Sequence, residues 1–95
     1  MLTIKEYTAE LVKDPFGILP GKRYEFVFDL DVPEEDELFR ENGVYVRVIF
    51  LVDEGQSRIV KYDFYERTTD AYLDFDMEQD EEEQLTAFCK DNLPE

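Results

Sequence analysis

An α+β fold, a mainly antiparallel five-stranded sheet with one C-terminal helix packed on one face, is what the sequence predicts. Three observations predict it. Apolar and polar residues alternate at period two along several separate stretches, as on strands with one buried face. Turn-forming residues such as Pro20-Gly21, Asn42-Gly43 and Gly55 separate those stretches. After Met77 the period changes, and Leu85, Phe88, Cys89 and Leu93 fall on one helical stripe.

Leu2 to Val12 places Leu2, Ile4, Tyr7, Leu11 and Val12 among β-formers with imperfect alternation, which reads as an edge strand with room for a bulge. Lys13 to Gly21 is a loop, its Leu19-Pro20-Gly21-Lys22 carrying the Pro-then-Gly order of a type II turn. From Arg23 to Val32 alternation is clean, with Tyr24, Phe26, Phe28, Leu30 and Val32 on one face. Pro33 stops that strand. Glu34 to Gly43 follows as a polar connection with space for one helical turn, and Leu38 and Phe39 tuck it against the sheet.

Val44 to Val52 is apolar everywhere except Arg47, the pattern of a central strand. Asp53-Glu54-Gly55-Gln56 is a tight turn, and Arg58 to Glu66 returns as a hairpin partner with Val60, Tyr62 and Phe64 opposite Ile59, Lys61, Asp63 and Tyr65. Ala71 to Met77 alternates again and predicts a fifth strand. Asp80 and Glu83 have the spacing of a capping box for the final helix, which ends at Pro94.

Residues 1–95 read as one domain, because no linker divides the chain into parts that could each bury a core. A 43% hydrophobic and 15% aromatic content is enough to offset chain ordering despite the charge. Twenty-five acidic and ten basic side chains give a net charge of −15, which disfavours direct contact with nucleic acid or anionic lipid. The apolar run Val48–Val52 is too short to span a membrane, and the start of the chain lacks the basic and apolar regions of a signal peptide. With Cys89 as the single cysteine, no internal disulfide is possible, and a cytoplasmic location is expected.

The chain has no histidine and a single serine, Ser57, so a histidine-based acid–base pair or triad is excluded. Cys89 lies in the apolar stripe without an imidazole partner and reads as a packing residue. Asp74, Asp76 and Glu78 alternate like the start of an EF-hand loop, but the sixth position is Gln79 and the twelfth Leu85, where glycine and glutamate belong. No catalytic, cofactor-binding or metal-binding residue is expected, and the chain is not expected to be an enzyme.

The sheet's second face directs attention elsewhere. If Tyr24, Phe26, Phe28, Val46, Val48, Phe50, Val60 and Tyr62 meet the helix, then Val27, Tyr45, Ile49, Leu51, Ile59 and Tyr65 lie on the opposite face. A five-stranded sheet is about 24 Å wide and a helix about 10 Å across, so one helix leaves much of a sheet bare. The expected contact residues are Tyr45, Ile49, Leu51, Ile59 and Tyr65, with Phe16 and Ile18 from the proline-bounded loop. A homodimer or protein-interaction module follows as the functional expectation. Two alternatives remain open: an acidic decoy of a nucleic-acid-binding protein, and a small apolar-ligand binder formed by a curled sheet.

In the segments Lys13-Asp14-Pro15-Phe16-Gly17-Ile18-Leu19 and Gly21-Lys22-Arg23-Tyr24-Glu25-Phe26, the chain resembles small acidic uncharacterised proteins of Bacillus-type Firmicutes, a family of unknown function. That resemblance implies a cytoplasmic bacterial protein and supplies no catalytic motif.

Overall fold

Strands form where alternation is strongest, and in the computed structural model, which describes residues 2–13, 21–53 and 55–94, they pair in simple chain order. β1 (Ile4–Val12), β2 (Lys22–Leu30), β3 (Val44–Asp53), β4 (Gln56–Glu66) and β5 (Tyr72–Leu73) make one antiparallel sheet ordered β1-β2-β3-β4-β5. One helix, α1 (Gln79–Asp91), packs against it. β3 is central, as its near-continuous apolar run requires.

Burial follows the pleat. Phe26, Phe28, Val46, Val48 and Phe50 are fully buried on the covered face, together with Leu85 and Cys89 from α1. The Phe26 and Phe28 rings stack at 5.6 Å, and Phe88 of α1 meets Phe28 edge-on at 5.4 Å. Tyr7 extends this contact to β1, with its ring 5.0 Å from Phe88 and its hydroxyl donating to Asn92 Oδ1 at 3.2 Å. Gln84 secures the N-terminal segment, accepting the Leu2 N–H at 3.0 Å and donating to the Leu2 carbonyl at 2.7 Å. Tyr24, Leu30, Val44 and Phe64 from the strands, with Leu38, Leu73 and Met77, complete the core.

Gly21 shows why the entry to β2 needs glycine. Its φ is +69°, and a Cβ there would come within 2.7 Å of the Val52 carbonyl oxygen.

Four details differ from the sequence expectations. β2 ends at Leu30 instead of Val32. β5 spans only Tyr72–Leu73 instead of Ala71–Met77. Phe75 N–H turns back to the Leu73 carbonyl at 3.0 Å, and Met77 N–H donates to the Tyr62 hydroxyl at 3.0 Å, so this segment leaves the ladder while still burying Leu73 and Met77. α1 is capped two residues earlier than expected. Glu78 is the N-cap, and the Glu81 carboxylate, in place of an Asp80/Glu83 pair, accepts the Glu78 N–H at 3.0 Å.

The fourth difference concerns β4. Ile49 pairs with Lys61 and Phe50 with Ile59, so Val60 is an extra residue in a bulge. Beyond the bulge the strand faces exchange. Ile59 joins the covered face and packs against the core, while Val60 is 40% exposed.

Candidate functional site

The face of the sheet turned away from α1 carries three tyrosines in a row. Antiparallel register places Tyr45 of β3 opposite Tyr65 of β4, and Tyr65 opposite Tyr72 of β5. The Tyr45 and Tyr65 rings stack at 5.2 Å with planes 21° apart, and Tyr65 meets Tyr72 at 6.2 Å in an edge-on arrangement. Tyr72 is the most open of the three, at 59% exposure.

One end of the row is fixed. Tyr45 donates its hydroxyl to Asp70 Oδ1 at 2.7 Å. Burial and then this carboxylate raise the phenol from its ordinary 10.0 to about 12, because both disfavour a phenolate. Asp70 presents its side chain from a turn residue with φ of 55°, a left-handed conformation that Asp tolerates better than most.

Charges lace the rest of this face. Arg47 Nε and Nη2 both bond Glu25 Oε2, at 3.0 and 2.7 Å, across β2 and β3. Arg67 pairs with Asp29. The bond to Glu25 is the main cause that raises the Arg47 guanidinium above its ordinary value. These pairs lie beside Tyr45 and Ile49, which remain half-buried with Val27 and Tyr65.

Of the residues expected to make contact, Tyr45, Ile49 and Tyr65 share this face. Leu51 also belongs to it, but at 8% exposure, between Arg23 and Arg58 on the neighbouring strands, it offers little to a partner. Ile59 belongs to the opposite face because the Val60 bulge shifts it there. Phe16 and Ile18 lie outside the described residues. Tyr72 was missing from the expected set, and its signal was the short turn that returns it alongside Tyr65.

A second feature lies at one end of the sheet. A cleft of about 550 Å³ has Leu30, Leu38, Phe64 and Phe75 in its lining, with carboxylates of Asp31, Asp36, Glu37, Asp76, Glu78 and Glu81 around them. Two of those carboxylates have structural partners: Asp36 accepts the Leu38 N–H at 2.9 Å, and Glu81 accepts that of Glu78. Among the described residues, no group of three or more His, Cys, Asp or Glu side chains is arranged to hold a metal ion.

Chemically reactive groups are scarce. Cys89 has no solvent exposure, and burial pushes its thiol from 9.0 up to about 12, which suppresses the nucleophilic thiolate. No helix among the described residues is long and apolar enough to cross a membrane.

The model of a family of unknown function, DUF6509, matches residues 2–95. No curated protein and no solved structure matches the chain.

Proposed function

The chain belongs to DUF6509, a family of unknown function, and we propose that it is a non-enzymatic protein-interaction module docking its partner on the uncovered sheet face. The carrying observation is the Tyr45–Tyr65–Tyr72 row, an ordered aromatic platform open at the Tyr72 end. Tyrosine suits such a surface because its ring packs against apolar groups while its hydroxyl remains hydrated. Asp63 and Asp70 beside the row, in a chain of net charge −15, favour a partner that brings Arg or Lys together with apolar side chains. The lack of histidine and the burial of Cys89 support a role without catalysis. A cytoplasmic bacterial setting, without direct nucleic-acid or membrane binding, fits the acidity and the single reduced cysteine.

A photo-crosslinking phenylalanine analogue at Tyr72 tests the reading, with the same analogue at exposed Ala87 on α1, across the sheet, as control. Irradiation in lysate from the source cells should give a discrete conjugate at 72, reduced by Ile49→Asp, and none at 87. Equal products at both positions, or a conjugate indifferent to Ile49→Asp, would remove the face from consideration.

One observation favours a second reading, the acidic decoy. The cleft gathers carboxylates from two segments distant in sequence, at one end of the sheet. A decoy would lose affinity for a basic nucleic-acid-binding protein on Asp76→Asn with Asp31→Asn and keep it on Ile49→Asp. The curled-sheet ligand site has less support, since Phe26, Phe28, Val46, Val48 and Phe50 fill the covered face against α1.

A further inference from the structure

Because the strands lie in chain order, β1 forms a border of the sheet, and among the described residues no strand pairs its outer side. An unpaired strand edge is a row of free N–H and C=O groups, and proteins ordinarily blunt it with bulges, prolines, charges or a short length. The opposite border is blunted in this way: β5 has two residues, and β4 beside it has the Val60 bulge flanked by Arg58 and Lys61. β1 is less protected: it runs nine residues with no proline or glycine, its irregularity is confined to the Ile4–Glu6 end, and of its charges Lys5 and Glu6 sit at that end, leaving Glu10 alone within Tyr7–Val12. Tyr7 and Leu11, facing Phe28 and Tyr24 on β2, are 41% and 50% exposed.

We propose that a second copy of this chain docks on that edge, the two β1 strands running antiparallel about a two-fold axis at Ala9 and joining the two sheets into one. The register follows from the residues. A two-fold axis perpendicular to the sheet keeps each side chain opposite one from the same face, so the axis must pass through a single residue position. At Thr8 it would set Glu6 against Glu10, and at Glu10 that residue against its own copy; like charges directly opposite are destabilising. At Tyr7 it would bring the bulge at Lys5 into the ladder and leave Leu11 beyond the paired stretch. At Ala9 no like charges lie directly opposite: Tyr7 meets Leu11 twice, Thr8 meets Glu10, and Glu6 meets Val12. Tyr7 and Leu11 then cover one another, Val12 lies against the Glu6 stem, and the Lys5 bulge falls outside the Glu6–Val12 ladder.

Repulsion between two acidic copies opposes this contact at long range. Screening limits it to about 8 Å at physiological salt, so the dimer strengthens as salt rises. The proposal uses the border of the sheet and does not depend on the face assigned to a foreign partner.

Single cysteines read the register. Across the axis two Ala9 positions lie with Cβ atoms about 4.5–5.5 Å apart, near disulfide range, whereas Leu11 and its own copy are four strand positions apart, about 14 Å. Native Cys89 is fully buried and does not compete. Under mild oxidation Ala9→Cys should form covalent dimer at least about tenfold faster than Leu11→Cys, and Tyr7→Cys combined with Leu11→Cys should recover the fast rate. Equal rates for the two single variants overturn the register. Sedimentation of the unmodified chain provides an arm free of folding effects: monomer at every concentration up to about 1 mM, in low and moderate salt, overturns the dimer. Leu11→Glu, at a half-exposed site, should raise the dimer dissociation constant about tenfold, and an unchanged constant counts against the edge. Ile49→Asp should leave Ala9→Cys coupling unchanged; loss of coupling would place self-association on the sheet face and overturn the edge proposal.

Discussion

Phe50 on β3 faces Ile59 on β4, while its neighbour Ile49 faces Lys61, so Val60 stands between them with no partner of its own. The extra residue lets Arg58 and Lys61 both keep their charges off the covered face while Ile59 reaches the core. It also bends a strand near the sheet border, where pairing with another chain is easiest to prevent.

Substitutions at these two adjacent positions should therefore behave oppositely. Ile59→Asp places a carboxylate beside Phe50 and should cost about 2 kcal/mol or more, whereas Val60→Asp should stay within about 0.5 kcal/mol. Deleting Val60 removes the bulge and leaves every other cross-strand pair in place, so the shortened chain should still fold. Chemical denaturation of the three variants is the measurement.

Cys89 should react slowly with thiol reagents in the native state and fast once denaturant is added. Its pKa is raised from 9.0 to about 12 by burial, so the folded state holds the proton more tightly than the unfolded chain. The stability this contributes is complete below pH 9 and is lost as pH climbs toward 12. Cys89→Ala should flatten that decline, as read by denaturation at fixed pH values.

Tyr45 should be a late-ionising phenol. With its pKa raised from 10.0 to about 12, its contribution to stability is present below pH 10 and disappears as pH rises through 12. Asp70→Asn keeps a side chain that tolerates the left-handed backbone but removes the charge, so Tyr45 should ionise earlier. It should not return to its ordinary value, because burial is the larger cause. Ultraviolet titration of the wild type, Asp70→Asn and Tyr45→Phe separates the contributions.

Gln84→Ala removes both hydrogen bonds to Leu2 and should cost about 1–2 kcal/mol. Amide exchange should rise first in the segment preceding β1, while the β2–β3 amides keep their protection until global unfolding.

Much of this architecture was legible in the sequence because Tyr24–Leu30 alternates and Val44–Val52 is apolar except at Arg47, the marks of a half-covered strand and a central one, and period two then states which side chains share a face. Past Val60 the same rule puts Ile59 on the wrong face, since one inserted residue shifts the phase without altering the composition. Leu73 and Met77 are buried as their alternation suggested, but burial along a sheet border does not require strand pairing, and the turn at Phe75 ends the ladder. Glu78 is an uncommon N-cap, and Asp80 three residues before Glu83 has the same capping-box spacing with a residue type that caps better. Strand phase alone puts Tyr45, Ile49 and Tyr65 on one face, whereas Leu51 is shielded there and Tyr72 joins the row only through a turn. The acidic cleft could not be foreseen, because Asp31–Glu37 and Asp76–Glu81 approach one another only in the finished fold.

The chain-order meander has a consequence for synthesis. Each strand leaving the ribosome meets a partner made just before it, so the sheet can zip up vectorially with every hairpin closed locally. The contacts of Gln84 with Leu2 and of Asn92 with Tyr7 join opposite ends of the chain and must wait for α1. Until that helix arrives, Phe26, Phe28, Val46 and Val48 line a half-finished surface open to water. The exposed aromatic surface closes only when α1 docks, and the disappearance of a reactive thiol at Cys89 marks that moment.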